Sequence, residues 1–568
     1  MFRSTDLEEF YPIVVFTVKN RLEKIGRSVA VALGVAENSR HKTLPVSGRV
    51  IQMGDSSMSE TNVGWRAVVA GALLPGVAVL ALSCEPSGSG AMPDLDTKVD
   101  LAEDFTTPTE QLQLGSVSPS SGGTAGGTML TLTGSGFRSG AVVRVGGTIA
   151  SSIQVSVDGS TITCNTPARR GKPGPVDIIV VNPSGLGTTQ SQSFRYFLST
   201  LAYDVPTAVS GTDSGPRSVG VADLNKDGFP EIVVVFQTSS TVQVHKNSGN
   251  GTYSGSVTRT VGSSPLGLVI VDLDGNGNLD VATASAGASV VSVLLGDGLG
   301  SVATAVNSST GGGQPVSLIA LDANGDGSLD LLTANSAAAM SGNLGLLLGN
   351  KTAAFALGSA IGTSAATLIG LTAADLDGNG RVDAVGVHRL PALGVSNVSV
   401  LQNRGVATAP FFTLAAAKTN QFNPNAVGSG DFNRDGLGDV VVTSDVSPAG
   451  KLTFLQGAPG AQLGDASAAN AYDIDGTPTA LAVADLDGDG FLDVIVANTS
   501  GVSGNLSLLR GKGNGSFQLS QRIDFPSVIR PSGIAVGDVD QDGILDLVIT
   551  DQPSVGAGSV VIRRGIGM

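Results

Sequence analysis

Apolar and polar positions alternate in short runs throughout residues 198–568, which is the pattern of half-buried β-strands. One run, such as LGLVIV or TALAVA, leads into a nine-residue polar segment that begins with Asp and has Gly at its sixth position. A second run follows at once (DVVVTS, DVIVAN), a third comes after a short turn, and a more polar fourth (GTYSGSVT, GSFQLSQR) ends the unit. The pattern predicts four-stranded antiparallel sheets with the polar segment as a hairpin loop.

The nine-residue segment recurs at spacings of 49 to 56 residues, which is typical of a repeat architecture. We number the copies loops 1 to 7 in chain order: 223–231, 272–280, 322–330, 375–383, 431–439, 485–493 and 538–546. Seven such units predict a seven-bladed β-propeller over residues 198–568. The last unit ends after its third strand, while a spare run, 197–205, precedes the first loop. We therefore expect residues 197–205 to complete the last blade and close the ring, which hides the sheet edges.

The loops have the composition of a metal site. Positions 1, 3, 5 and 9 are oxygen donors in every copy, and position 7 varies freely, as expected if it offers only its backbone carbonyl. Of the 32 acidic residues in 198–568, 23 lie in the loops. Two carboxylates about 5 Å apart repel by roughly 3 kcal/mol at an effective dielectric of about 20, and a hard cation removes that repulsion. The predicted ligands are Asp223, Asn225, Asp227, Phe229, Glu231, Asp272, Asp274, Asn276, Asn278, Asp280, Asp322, Asn324, Asp326, Ser328, Asp330, Asp375, Asp377, Asn379, Arg381, Asp383, Asp431, Asn433, Asp435, Leu437, Asp439, Asp485, Asp487, Asp489, Phe491, Asp493, Asp538, Asp540, Asp542, Ile544 and Asp546.

Calcium is the expected ion, with up to seven bound, because flexible loops that gather many oxygens favour Ca²⁺ over Mg²⁺. Zinc is disfavoured, since the two histidines of residues 198–568 are isolated and this region has no cysteine. Loops 6 and 7 have four carboxylates each and are expected to bind most tightly. Loop 1, with Glu231 after Pro230, and loop 5, with Gly438 at position 8, depart from the common pattern.

These loops and their flanking strands resemble FG-GAP/VCBS repeats, the units of the integrin alpha-chain propeller. The resemblance covers residues 198–568 and implies a calcium-binding propeller.

Residues 111–197 contain alternating runs punctuated by Gly, which predict a small β-sandwich. The segments 117–122 (VSPSSG), 134–137 (GSGF), 162–167 (ITCNTP) and 181–185 (VNPSG) are similar to those of an IPT/TIG domain, an immunoglobulin-like fold. The complete chain is thus expected to be all-β, with a seven-bladed β-propeller preceded by a small immunoglobulin-like β-sandwich.

Residues 67–84 form an apolar segment whose length fits a signal peptide better than a bilayer span. It ends in Ala81-Leu82-Ser83-Cys84, which resembles a bacterial lipobox and implies lipidation of Cys84. Cleavage after Ala81, or a membrane anchor, is the alternative. Residues 1–66 are an N-terminal extension that is either a cytoplasmic tail or a mis-assigned start, with translation beginning at Met53 or Met58. The acidic residues 85–110 are predicted to be a linker.

Composition and charge narrow the function. The formal net charge is −15, which disfavours nucleic acid and anionic membranes as partners. No set of His, Tyr, Lys or Arg recurs at matching positions of several units, so we expect no enzymatic activity. The favoured function is that of an exported bacterial surface protein, lipid-anchored or secreted, which binds an extracellular protein or glycan. A propeller enzyme of the polysaccharide lyase or dehydratase type and a structural spacer are the alternatives.

Overall fold

The computed structural model describes residues 46–54, 57–65, 111–169, 171–311, 313–336, 343–358, 361–362, 367–389, 396–415, 418–420, 423–445, 450–465, 468–500, 503–525, 530–552 and 558–566. In these ranges the chain forms β-strands, and its only helical element is a 3₁₀ turn at Ala468–Asn470. The prediction of an all-β chain is confirmed. No helix in the described ranges has the length and apolar character needed to cross a membrane.

The chain divides into two compact units, residues 1–106 and 107–568. In the first unit, Val46–Gly54 and Ser57–Trp65 pair as an antiparallel hairpin. The predicted signal segment 67–84 with Cys84, residues 1–45 of the extension and the linker 85–110 lie outside the described residues.

The second unit begins with a sandwich of two sheets, as the sequence predicts. One sheet is Gln113–Ser118, Met129–Ser135, Thr161–Asn165 and Ser151–Val155, and the other is Ser121–Gly123, Gly187–Phe197, Gly174–Val181, Val142–Val145 and Thr148–Ile149, in the order of pairing. Leu130, Leu132, Ile162, Phe194 and Tyr196 are buried between them, because each strand turns alternate side chains inward.

Seven antiparallel sheets follow in the described residues, and we call them blades 1 to 7. Within each sheet the strands pair in order from the first to the outermost. The strands are Pro216–Ala222, Glu231–Phe236, Thr241–Asn247 and Tyr253–Thr260 in blade 1; Pro265–Val271, Asp280–Ser285, Val290–Leu294 and Val306–Ser309 in blade 2; Pro315–Leu321, Asp330–Asn335, Asn343–Leu348 and the short pieces Ala356–Leu357 and Ile361–Gly362 in blade 3; Thr367–Ala374, Asp383–Arg389, Ser396–Asn403 and the pieces Phe412–Leu414 and Lys418–Asn420 in blade 4; Asn423–Gly430, Asp439–Asp445, Gly450–Leu455 and Ala471–Ile474 in blade 5; Thr477–Ala484, Asp493–Ser500, Ser503–Gly511 and Phe517–Asp524 in blade 6; and Pro531–Gly537, Asp546–Asp551, Ser559–Arg563 and Thr207–Ala208 in blade 7. A further small hairpin joins Gly457–Ala458 to Gln462–Leu463.

The first strands of consecutive blades contact each other, and the first strand of blade 7 contacts that of blade 1. The sheets therefore surround a common axis, as in a propeller. The second strands of blades 1, 2, 3 and 7 are buried over their full length, because each has a paired strand on either side and neighbouring blades against its faces. In every blade the loop leads from the first strand to the second strand, whose first residue is completely buried.

The ring closes through a segment that precedes blade 1, as expected, but the predicted position of that segment was wrong. Thr207 and Ala208 pair with Ile562 and Val561 and supply the outermost strand of blade 7. The spare run 197–205 contributes elsewhere: Phe197 ends the last strand of the sandwich, and Ala202–Tyr203 pairs separately with Gly565–Ile566. Leu198 and Leu201 of the run pack into a buried cluster with side chains of blades 6 and 7, such as Ile495 and Leu547, instead of pairing as a strand there.

Candidate metal centres

Backbone N–H groups orient the polar side chains of all seven loops in the same way. The carboxylate at position 1 accepts the N–H of the glycine at position 6, at 2.7–3.0 Å. The side-chain oxygen at position 3 accepts the N–H of position 5, and that at position 5 accepts the N–H of position 7. The backbone of each loop thus holds the side-chain oxygens of positions 1, 3 and 5 in fixed orientations.

Two positions in each loop require a left-handed backbone. Position 6 has φ between 78° and 91° and is Gly in every copy, because only Gly adopts this conformation without steric cost. Position 4 is also left-handed, although its residue type does not indicate this in every copy: it is Gly in loops 2, 3, 4 and 6, but Lys226, Arg434 and Gln541 in loops 1, 5 and 7. These three side chains reach the next loop in the ring, where they contact Asn278 Oδ1, the Gly490 carbonyl and the Gly228 carbonyl.

Position 9 anchors each loop to its blade. This residue is completely buried in every loop, as the first residue of the second strand. One of its carboxylate oxygens accepts the N–H of position 2, at 2.7–3.2 Å. In loops 2 to 7 the other oxygen accepts an N–H at the end of the third strand, from Gly296, Gly349, Asn403, Gly457, Gly511 and Gly565. Glu231 of loop 1 and Asp439 of loop 5 occupy the same place as their counterparts. Position 9 is therefore in place in both loops that depart from the common pattern.

Loop 5 accommodates Gly438 because this residue lies against blade 4. Its N–H donates to the Asp375 carbonyl at 2.7 Å. A Cβ added at Gly438 would lie 2.5 Å from that of Ala374, closer than two carbon atoms can approach. The missing apolar side chain at position 8 is therefore required by contact with the neighbouring blade.

Burial makes the carboxylates of position 9 costly to ionise. It raises the pKa of Asp330, Asp383 and Asp439 to about 6, that of Asp546 to about 7 and that of Asp493 to about 8. Neighbouring loop carboxylates raise these pKa values further by like-charge repulsion. A bound cation would relieve both effects.

In four loops the carboxylates converge closely enough to hold one ion. One oxygen from each of positions 1, 3 and 9 lies within 4.8 Å of the others in loops 2, 4 and 6, as do oxygens of positions 1, 3 and 5 in loop 7. Loops 1, 3 and 5 have Asn at position 3, so an amide oxygen takes that place. Asp485 Oδ1 is buried without a hydrogen-bond partner, and the donors are all oxygens, which suits a hard divalent cation. The carbonyl oxygens of position 7 as ligands stay a prediction.

In each of blades 4 to 7, one more side chain at the end of the third strand lies close to the loop of the same blade. It belongs to the residue just before the one that donates its N–H to the carboxylate of position 9. Gln402 Nε2 donates to Asp377 Oδ2 at 2.7 Å, and Gln456 Nε2 to Asp435 Oδ2 at 3.1 Å. In blades 6 and 7 the residue is an arginine, and both arginines approach position 3 of their own loop, at 3.3 Å for Arg510 Nη1 and 3.8 Å for Arg564 Nε. The equivalent positions of blades 2 and 3 are Leu295 and Leu348.

Family models match the two parts of this unit. The FG-GAP-like repeat model matches residues 223–283, 272–333, 431–496 and 485–549, which takes in every loop except loop 4. The IPT/TIG domain model matches residues 112–196, the sandwich. The chain therefore contains FG-GAP-like repeats and, on their N-terminal side, an IPT/TIG domain, as the resemblance implied. No curated protein sequence matches the chain significantly.

Several solved structures are similar over most of the length of this chain. An auxiliary nutrient binding protein from Bacteroides ovatus is 12% identical, with 81% of this chain and 99% of that chain covered and a TM-score of 0.35. A protein from Lactobacillus plantarum is also 12% identical, with 68% and 97% covered and a TM-score of 0.39. BBS1N, in its complex with ARL6DN, is 11% identical, with 65% and 97% covered and a TM-score of 0.44.

Proposed function

We propose that the loops bind calcium, up to one ion each, and that the ions stabilise the propeller. The observation that carries this proposal is the convergence of three carboxylates within 4.8 Å in loops 2, 4, 6 and 7. Such a cluster on a hairpin is unfavourable by itself, because like charges are held together and partly removed from water. A divalent cation turns this repulsion into attraction.

The chemistry of the donors favours Ca²⁺. The loops offer carboxylate and amide oxygens, whereas Zn²⁺ sites in proteins are built mostly from Cys and His. Mg²⁺ requires a near-octahedral set of ligands and keeps several of its waters, which an oxygen-rich flexible loop does not enforce. In the described part of the chain, every group of three or more acidic, His or Cys residues close enough to hold one ion belongs to a loop.

We further propose that the protein is an exported, non-enzymatic binding protein, in which the propeller and the IPT/TIG domain present a rigid surface to an extracellular protein or glycan. The acidic charge concentrated on loops at one edge of the blades supports a role for metal in maintaining that surface. Export, with Cys84 as a lipid attachment site, follows from the apolar segment 67–84.

Two experiments test these proposals. Native mass spectrometry of the full chain should count up to seven calcium ions that EDTA removes, and a chain that binds no calcium contradicts the proposal. A glycan and matrix-protein array, probed in calcium and again in EDTA, should identify a ligand whose binding requires calcium. Enzymatic turnover of a bound glycan would contradict the non-enzymatic part.

A further inference from the structure

Loop 6 differs from the other loops in how much of it is covered. In loops 1 to 5 the residues at positions 4 to 6 are exposed, and in loop 7 those at positions 4 and 6 are exposed. No residue of loop 6 is exposed, and the side chain of Asp487 retains only 2% of its accessible surface. Loop 6 is therefore a contact surface within the molecule.

The covering comes from the IPT/TIG domain and the segment that follows it. The Leu198 N–H donates to the Asp487 carbonyl at 2.7 Å. Arg195, on the last strand of the sandwich, donates through Nη1 to the Gly488 carbonyl at 3.3 Å and lies 3.9 Å from Asp485 Oδ2. Pro173 lies so close to Gly488 that a Cβ added to Gly488 would be 2.4 Å from the Cβ of Pro173. The sandwich thus docks directly onto the metal-binding loop.

Arg510 joins the loop to the same segment from the propeller side. Its guanidinium lies 3.3 Å from Asp487 Oδ2 and also donates to the Leu198 and Ser199 carbonyls, at 3.2 and 3.3 Å. One side chain therefore contacts both a predicted calcium ligand and the chain that leaves the IPT/TIG domain.

Loop 6 consequently has less net charge than its carboxylates suggest. Arg195 and Arg510 place guanidinium groups 3.9 and 3.3 Å from carboxylates of loop 6, and Arg434 also contacts this loop, at the Gly490 carbonyl. Loop 2 has three carboxylates, Leu295 in the place of Arg510, and one cation, Lys226, at Asn278. A cation held a few ångströms from a metal ligand repels a bound dication, more strongly where water is largely excluded. The count of carboxylates, which predicted loop 6 among the tightest, leaves out this opposing charge.

We propose that loop 6 is a calcium-sensitive junction, in which Arg195 and Arg510 compete with calcium for the loop carboxylates, so that calcium binding at loop 6 and docking of the IPT/TIG domain oppose each other. The inference rests on the proposed calcium binding by the loops. Because such coupling is reciprocal, docking weakens calcium binding at loop 6 by the factor by which calcium weakens docking.

Hydrogen exchange with mass spectrometry on the full chain measures both sides of this coupling. Peptides that contain loops 2 and 6 report the free calcium concentration at which each loop becomes protected. Loop 6 should require more calcium than loop 2. The Leu198 amide, which is hydrogen-bonded to loop 6, should exchange faster as loop 6 fills, and slower exchange there would overturn the inference.

Two substitutions test the arginines separately. Arg510→Leu, which places the residue of blade 2 in blade 6, and Arg195→Gln should each shift the loop 6 midpoint to lower calcium, on the order of tenfold, and leave that of loop 2 unchanged. Arg144→Gln is the matched control, because Arg144 is an exposed arginine of the same sandwich whose guanidinium donates to the Gly147 carbonyl of its own hairpin. If Arg510→Leu fails to fold, Arg195→Gln still tests the proposal, because Arg195 lies in the sandwich and its substitution changes no residue of the propeller.

The outcomes separate the two proposals. If neither loop is protected by calcium in any variant, the proposed calcium binding fails and the inference fails with it. If loop 2 is protected, but the loop 6 midpoint does not move in Arg195→Gln or Arg510→Leu, the inference alone is overturned.

Discussion

Loops 2 and 6 have almost the same sequence, DLDGNGNLD and DLDGDGFLD, and share the backbone hydrogen bonds accepted by the side chains of positions 1, 3, 5 and 9. Asp272 Oδ1 of loop 2 accepts two further N–H groups, whereas Asp485 Oδ1 of loop 6 has no hydrogen-bond partner. Both bring carboxylate oxygens of positions 1, 3 and 9 within 4.8 Å of each other. Their surroundings differ: loop 2 is open to water with Leu295 beside it, whereas loop 6 lies under the IPT/TIG domain between two arginines. The comparison teaches that nine residues are enough to bring the carboxylates together, while residues far along the chain determine which other charges surround them.

The largest expected effect comes from removing calcium from all loops together. EDTA should lower the melting temperature of the full chain by more than about 10 °C, because each ion held at 100 times its Kd contributes about 2.7 kcal/mol to the folded state. Differential scanning calorimetry measures the change, and magnesium in place of calcium is the control. An unchanged melting temperature would contradict a stabilising role for the ions, both in open loops such as loop 2 and in the covered loop 6.

A pH series without calcium should next show the effect of the buried loop carboxyls, among which Asp493 of loop 6 has the most strongly raised pKa. Burial raises the pKa of Asp493 in loop 6 to about 8 and that of Asp487 to about 6, above the ordinary value of 3.8. A raised pKa in the folded state means that stability is greatest below about pH 4 and is lost as the pH rises through the folded pKa. The metal-free protein should therefore become less stable from pH 4 to pH 8, as measured by thermal unfolding in EDTA.

With calcium present, the same rise in pH should increase stability, because calcium binds the deprotonated carboxylates. A metal-free protein that gains stability between pH 6 and 8 would contradict the assignment of the buried carboxyls as the cause.

Single neutral substitutions at position 3 should have a smaller effect and sharpen the contrast. Asp274→Asn leaves loop 2 with two carboxylates and should remove about one calcium ion and lower the melting temperature in calcium. Asp487→Asn gives loop 6 the same set of side-chain donors at positions 1, 3, 5 and 9 as loops 3 and 5, so it should weaken calcium binding without abolishing it. In EDTA at pH 8, Asp487→Asn should raise the melting temperature, because it removes a buried charge whose pKa is raised to about 6. Native mass spectrometry and calorimetry on the two variants give the comparison. A lower melting temperature of Asp487→Asn in EDTA would mean that its pairing with Arg510 outweighs its burial.

The smallest expected effect concerns the glycine at position 4. Gly488→Ala and Gly275→Ala introduce the same backbone strain, about 1 kcal/mol, because both glycines have φ near 75°. Only Gly488→Ala also meets Pro173, whereas at Gly275 the nearest atom to an added Cβ is Lys351 Cδ at 3.8 Å. Gly488→Ala should lose more stability in chemical denaturation, because the clash with Pro173 adds to the backbone strain, and only this variant should speed exchange at the Leu198 amide. Equal exchange in the two variants would argue against direct docking of the sandwich on loop 6.

Much of the fold was predictable from the sequence because its determinants are local. Alternating apolar residues indicate strands, a recurring nine-residue loop indicates repeated blades, and glycine at position 6 marks a backbone turn that few other residues tolerate. The candidate ligands at positions 1, 3, 5 and 9 follow from the same short pattern. In loop 5, by contrast, Gly438 looked like a defect in the pattern, and only its contact with Ala374 of blade 4 accounts for it.

The sequence by itself determined that the chain is all-β, that it has seven similar acidic loops and that a small sandwich precedes them, because hydrogen bonds within a hairpin depend on residues a few positions apart. Only the tertiary structure decided that Thr207–Ala208 completes blade 7. It alone placed Arg510 beside Asp487, and Arg195 beside Asp485 of a loop almost 300 residues away in the chain. Periodicity records which residues repeat, whereas a charge brought in by a different domain follows from how whole domains pack together.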